Sequence, residues 1–272
     1  MDQLLDTMLD SYTPARTPSP VTTVAVLGFD HTDSWAVPDR CQYAPDFDPE
    51  GFAYDRERAH YLYPAHDIEL VLALGESDVH CRARLGPSRA VLSDRLQRYL
   101  LQSTVAVGVV QADALLVHGC AMVNRAGEAL LFLGASGDGK STMTTRLPGW
   151  TVLADDAVLL EAPSGRRDEV LVSGTLFSGS EQIPRRGDRH PLRHLVVLKP
   201  GTPSLSLTPL EPVDGVFALS RRVFWPLFGG PMTQPLMSLI HRIAERVPAK
   251  TLASNLTHDV APLLGTLSKA GC

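Results

Sequence analysis

Residues 134–142 read Gly-Ala-Ser-Gly-Asp-Gly-Lys-Ser-Thr: a glycine, four residues, then Gly-Lys-Ser. This is the phosphate-loop pattern, which needs a buried strand before it and a helix after it. Both flanks comply. Ala129–Leu133 (ALLFL) is wholly apolar, as a strand covered on both faces must be. STMTTRL, from Ser141, is a short helical stretch stopped by Pro148 and Gly149. An α/β core built around this loop is therefore the expectation.

The residue types define the expected chemistry. Gly134, Gly137 and Gly139 lack a Cβ, so the loop can bring its N–H groups onto phosphate oxygens, with Ala135, Ser136 and Asp138 completing the cradle. The following helix points its positive end at the same anion. Lys140 would reach the β- and γ-phosphates, the Ser141 hydroxyl would ligate Mg²⁺, and Thr142 closes the motif. ATP and Mg²⁺ are the expected ligands.

Downstream, Trp150–Ala154 reads as a strand ending in Asp155-Asp156. Between Lys140 and Asp155 there is room for only one short helix and that strand. Two acids beside a nucleotide can divide the labour, one holding the metal and the other taking the proton of an attacking hydroxyl. Upstream, the apolar run Leu115–Val123 is interrupted at His118-Gly119, and Asn124–Gly127 suits a hairpin that pairs it with Ala129–Leu133.

His-Gly on a strand, a hairpin, FLG-x-SG-x-GKST and then LADD make up Leu115–Leu160, and this stretch resembles the HPr kinase/phosphorylase family, in particular its shorter HPr-kinase-related members. More distantly it is similar to phosphoenolpyruvate carboxykinase, whose phosphate loop is also followed by two aspartates. The resemblance implies a nucleotide-binding core with a mixed β-sheet and phosphoryl transfer to a hydroxyl. It also implies roles: His118 as active-site histidine, Asp155 as base and Asp156 on the metal side. Where short relatives carry Gly-Thr-Pro-aromatic, this chain has Gly174-Thr175-Leu176-Phe177, and it lacks the Gly- and Asn-rich segment with which HPr kinases handle their protein substrate. Some short relatives modify peptides in biosynthetic clusters, so the resemblance points to a Ser/Thr hydroxyl of a peptide or protein as first acceptor. A small-molecule hydroxyl comes second. A non-catalytic ATP-binding sensor or assembly factor, or a simple ATPase, is the alternative on the same motifs. No Asn-Lys-x-Asp guanine-reading motif occurs.

The remainder of the chain gives the setting. With 272 residues, 44% hydrophobic and 20% charged, the composition is that of a globular protein of one or two domains. A net charge of −5 argues against nucleic acid or anionic membrane as partner, and a homo-oligomer is compatible with it. The start is acidic without a signal-like apolar core, and Cys41, Cys81, Cys120 and Cys272 form no Cys-x-x-Cys pair, so a cytoplasmic location is expected. Residues 1–22 read as a flexible tail in which Leu4, Leu5, Met8 and Leu9 could share a helix face. Residues 23–88 read as a small N-terminal α+β module, and 89–272 as the phosphate-loop core.

In the N-terminal module Thr23–Leu27, Ile68–Leu74 and the alternating Val79–Leu85 read as strands, separated by an irregular segment rich in aromatics, Trp35 to Tyr63. Ser88–Gln102 has helical periodicity. Beyond the acids, Ala157–Glu161 would finish their strand, and Val170–Val172, Leu195–Leu198 and Thr251–Ala253 are further strands. Helices are expected from Thr233, with an apolar stripe of Leu236, Leu239, Ile240, Ile243 and Val247, and from Asp259 to Leu264. Arg185, Arg186 and Arg189 lie in a basic loop that could clamp phosphate or an acidic acceptor, and Arg221-Arg222 is a second pair of this kind.

Overall fold

The computed structural model describes residues 94–163, 169–177, 185–224 and 233–267, together with seven strands nearer the N-terminus. These are β1 (Tyr12–Thr13), β2 (Val24–His31), β3 (Gln42–Tyr43), β4 (Ala53–Asp55), β5 (His60–Tyr63), β6 (Ile68–Leu74) and β7 (Asp78–Leu85). The expected helix face at Leu4–Leu9, and Trp35, Phe47 and Phe52, lie outside the described residues. The chain divides into two compact units, residues 21–112 with 225–236, and residues 2–20 with 113–224 and 237–272.

The first unit holds a six-stranded sheet in the order β2-β7-β6-β5-β4-β3. Its β2–β7 pair is parallel and the remaining pairs are antiparallel. The aromatic segment expected to be irregular contributes β3, β4 and β5, so Tyr43, Tyr54, Tyr61 and Tyr63 are strand residues. Helix α1 (Asp94–Val110) packs on β2 and β7. It runs eight residues past the Gln102 expected from periodicity, through the β-branched stretch up to Val110, because Ala106, Val107 and Val110 are buried there and packing outweighs propensity. The sequence reading put this segment at the front of the core; it belongs with the first unit.

The second unit is mixed α/β with a mixed-order sheet. Its elements are β8 (Ala114–His118), β9 (Cys120–Val123), β10 (Ala129–Leu133), α2 (Lys140–Arg146), β11 (Thr151–Ala154), β12 (Ala157–Glu161), β13 (Leu171–Gly174), β14 (Arg185–Arg186), β15 (His190–Pro200), β16 (Ser206–Pro209), α3 (Pro212–Ser220), α4 (Thr233–Arg246) from residue 237 onward, β17 (Ala249–Ser254) and α5 (Ala261–Gly265). The sheet runs β11-β9-β10-β15-β13-β12-β8, and β17 joins β15 to β16. At its centre β10, β15 and β17 are parallel.

Every residue of β10 is buried, as its unbroken apolar run requires. On one face, Cys120, Met122, Leu130, Phe132, Val196, Leu198 and Leu252 pack with Met143 and Leu147 of the α2 segment and Val260, Leu264 and Leu267 around α5. The five stripe residues expected on and just after α4 are all buried. Helix α3 was not anticipated, although Pro212 at its first position and Asp214 in its first turn are ordinary start signals. Among the described helices none is long and apolar enough to cross a membrane.

The apolar run 115–123 is not one strand but two that part at Gly119. β8 pairs with β12, whereas β9 pairs with β10 and β11. The acid-bearing segment breaks at the same level: β11 pairs with β9, β12 pairs with β8, and Asp155-Asp156 form the bend between them. Two long antiparallel segments are thus kinked side by side. The kink is held by Gly119 N–H donating to the Asp156 carbonyl (3.0 Å). A Cβ on Gly119 would stand 2.7 Å from Leu131 Cδ1 and 3.1 Å from the Phe132 carbonyl oxygen, so any larger residue would force its neighbours to shift.

Candidate functional site

β10 ends at this kink, since Phe132 is paired with Cys120, and the chain then enters the Gly134–Gly139 loop and α2. Gly137 (φ 87°) and Gly139 (φ 91°) adopt the left-handed conformation that lets the loop turn its N–H groups inward. The Lys140 side chain folds back over the loop, its Nζ donating to the carbonyls of Gly134 (3.0 Å) and Ala135 (2.9 Å). Asp138 braces the loop from within, its carboxylate accepting the Ala135 N–H. Ser136, Gly137 and Ser141 are exposed, while Thr142 is half-buried.

Asp155 is 5% exposed and Asp156 is half-buried. Successive strand residues face opposite ways, and the bend at the pair breaks that alternation. His118 Nδ1 lies 2.9 Å from Asp156 Oδ1. A carboxylate at that distance must accept, so Nδ1 carries the proton and Nε2 is turned away from the carboxylate. The Phe224 ring meets His118 edge-on, with centroids 5.8 Å apart at 87°.

The charges of these residues act on one another. Burial lowers the affinity of Lys140 for its proton, the Arg222 guanidinium lowers it further, and the Asp138 and Asp156 carboxylates work in the opposite direction. Cys120, opposite Phe132, is pushed up to about 12 by burial first and by Asp155 second, against a smaller opposing effect of Lys140. Its thiol is protonated at neutral pH and is no nucleophile. The structure therefore gathers His118, Gly134–Thr142, Asp155 and Asp156 around one kink.

The basic loop divides: β14 lies against β11, the strand that leads into Asp155, whereas Arg189 lies farther off. Arg185-Arg186 form β14, paired in parallel with β1, and His190–His194 begin β15. Arg189 contacts Glu161 (3.4 Å) at the far end of β12, five residues or roughly 16 Å from Asp156. The second arginine pair is the one at the phosphate loop. A cavity of about 510 Å³ is lined by Gly134 and Asp138 of the loop, by strand residues such as Leu133 and Val197, and by Phe217, Arg221 and Arg222. Leu133 is the last residue of β10, while Val197 and Thr251 lie within β15 and β17.

A nucleotide and its metal fit these residues. Mg²⁺ on a nucleotide takes most of its ligands from phosphate and water and needs one or two protein oxygens. The exposed Ser141 hydroxyl and the half-buried Asp156 carboxylate can supply them. Among the described residues no group of three or more His, Cys, Asp or Glu is arranged to hold a metal unaided.

No family model and no curated protein matches the sequence. Among solved structures the chain is similar to the HPr(Ser) kinase/phosphatase from Coxiella burnetii, at 16% identity over 57% of this chain and 94% of that one, with a TM-score of 0.31.

Proposed function

We propose that the protein is a Mg·ATP-dependent kinase that passes the γ-phosphoryl group to a hydroxyl, first of all a Ser or Thr of a peptide or protein. The observation that carries this reading is the convergence at one kink of Lys140 with its glycine loop and of Asp155-Asp156 with His118.

In this reading the loop N–H groups and the α2 N-terminus hold the phosphates, and Lys140 exchanges its two carbonyl contacts for phosphate oxygens. Bound Mg²⁺ neutralises charge on the phosphates. Asp155 takes the proton of the acceptor hydroxyl as that oxygen forms its bond to the γ-phosphorus. The bond from phosphorus to the β–γ bridging oxygen breaks, and ADP leaves with that electron pair. Such transition states are loose, so a carboxylate of ordinary basicity suffices. Asp156 holds the metal side, and its contact with His118 keeps its carboxylate oriented. Arg189 is not part of this proposal, because it sits with Glu161 at the other end of β12.

The test is calorimetry with Mg·ATP on the parent and on Lys140→Ala, followed by mass spectrometry of candidate peptides for an added phosphate. Binding lost in the variant, with a parent that phosphorylates a peptide, is the expected result. A parent that binds Mg·ATP but phosphorylates none of the peptides or small alcohols supplied would leave the sensor reading in its place.

A further inference from the structure

We infer that Arg222 is a second phosphate-binding cation of this site, supplied in cis by the segment after α3 and directed at the terminal phosphate beside Lys140. The inference rests on the nucleotide reading above and adds to it a residue outside the phosphate-loop and Asp-Asp motifs.

Position is the first support. Arg222 lines the same cavity as Gly134 and Asp138, although it stands 88 positions after Gly134 in the chain. The second support is the way the backbone under it is fastened. The Arg222 carbonyl accepts the His118 N–H (2.6 Å), Phe224 N–H donates to Leu116 O (2.9 Å), and Val223 bridges Val117. Arg222 N–H and Val223 N–H both donate to Leu219 O (2.8 and 3.2 Å), which closes the end of α3. Residues 222–224 therefore lie along β8 as an extra piece of strand, and they end in the ring that meets His118. A guanidinium carried on such a backbone is pre-organised, and little freedom is lost when it engages a ligand.

Charge is the third support. Arg222 is the strongest charged influence on Lys140, so two cations share one neighbourhood. The two carboxylates acting on the same lysine are already engaged, Asp138 by the Ala135 N–H and Asp156 by His118. Among the described residues Arg222 takes part in no ion pair. Like charges fixed together repel unless an anion joins them, and a phosphate accepts two parallel N–H donors from one guanidinium. The γ end is assigned because the Arg222 backbone is bonded to that of His118, whose ring holds Asp156.

Calorimetry with Mg·ATP and Mg·ADP tests this. In Arg222→Ala the Kd for Mg·ATP should rise roughly 10- to 100-fold, the usual weight of charge-assisted hydrogen bonds, and that for Mg·ADP by less than about threefold. Arg125→Ala should shift Mg·ATP by no more than about threefold, because Arg125 is exposed on the β9–β10 turn, does not line this cavity and is not among the charges acting on Lys140. A parent that does not bind Mg·ATP would remove the nucleotide reading itself. If the parent binds, that reading stands, and three results would overturn the inference alone: parental ATP affinity in Arg222→Ala, equal losses for ATP and ADP, or an equal loss in Arg125→Ala. Should Arg222→Ala not fold, Arg222→Lys keeps the charge and loses the fork. It should then weaken Mg·ATP about 3- to 10-fold, and parental affinity there would count against the inference.

Discussion

The same strands carry charge at two places, and the two are arranged oppositely. At the outer rim, acids and arginines are matched pair by pair. Asp113, just before β8, meets Arg242 at 2.6 Å; Glu161, closing β12, meets Arg189; and Glu128, before β10, shares Arg193 with Glu169 (3.0 and 2.7 Å). These contacts tie strand ends to neighbouring segments. At the kink, the Arg222 guanidinium bears on Lys140, and the nearby carboxylates are held by an N–H and by a histidine. Charges matched within the protein are scaffold. In the proposed function, the cations gathered on the glycine loop meet an anion from outside. A count of charged residues could not tell these regions apart.

The largest expected effect belongs to the kink. Asp155→Asn should lower phosphoryl transfer by roughly 10²–10⁴-fold while leaving Mg·ATP affinity near that of the parent, the usual scale for loss of a general base. Asp156→Asn should also slow transfer, and should in addition raise the Mg²⁺ concentration needed for it. Magnesium titrations of transfer on both variants decide the division of labour; parental rates in both would refute the kinase mechanism.

Next comes the geometry of the kink. Gly119→Ala drives a methyl into Leu131 and the Phe132 carbonyl, an overpacking expected to cost about 1–3 kcal/mol in thermal or denaturant unfolding. A variant as stable as the parent would show that the two strands can separate at this point without close packing.

How much of this was legible beforehand depended on whether the signal was local. β10, the glycine loop and α2 are contiguous, and their residue types need no partner to be understood. The β9–β10 hairpin and the stripe of α4 were equally readable from turn residues and helical spacing. The split at Gly119 was not, because Leu115–Val123 is equally apolar on both sides and only the partner strands differ. The two arginine pairs look alike in sequence. What separates them is long-range: Arg185-Arg186 pairs with Tyr12-Thr13, while Arg222 is carried to β8 by α3, whose start signals, Pro212 and Asp214, do not say where its end will dock.

A smaller effect is expected at the rim. Arg189→Ala leaves the buried Glu161 carboxylate without that partner, and a loss of about 1 kcal/mol in unfolding free energy is expected. Mg·ATP affinity should not change, since the contact lies at the other end of β12. A variant with parental stability and weakened ATP binding would erase the distinction between rim and kink.

The smallest effect tests whether the sheet tolerates an unmatched cation anywhere else. His194 lies on β15 in register with Leu130 of β10, and its Nδ1 is buried without a hydrogen-bond partner. Burial lowers its pKa from the ordinary 6.5, and Lys250 and Arg193 lower it further, against opposing hydrogen bonds to the backbone of Pro248 and Leu267. The unfolded chain therefore takes up a proton near pH 6.5 that the folded chain still refuses. Folding stability from this residue is complete above about pH 7.5 and declines as pH falls through 6.5 toward the lowered folded value. Thermal unfolding of the parent should accordingly drop between pH 7.5 and 5.5, above the range in which ordinary carboxylates titrate. His194→Gln, which cannot be protonated there, should show a flatter profile over the same interval, whatever its absolute stability. Parallel profiles would mean that His194 accepts its proton inside the fold, and that positive charge is not confined to the kink and the matched rim.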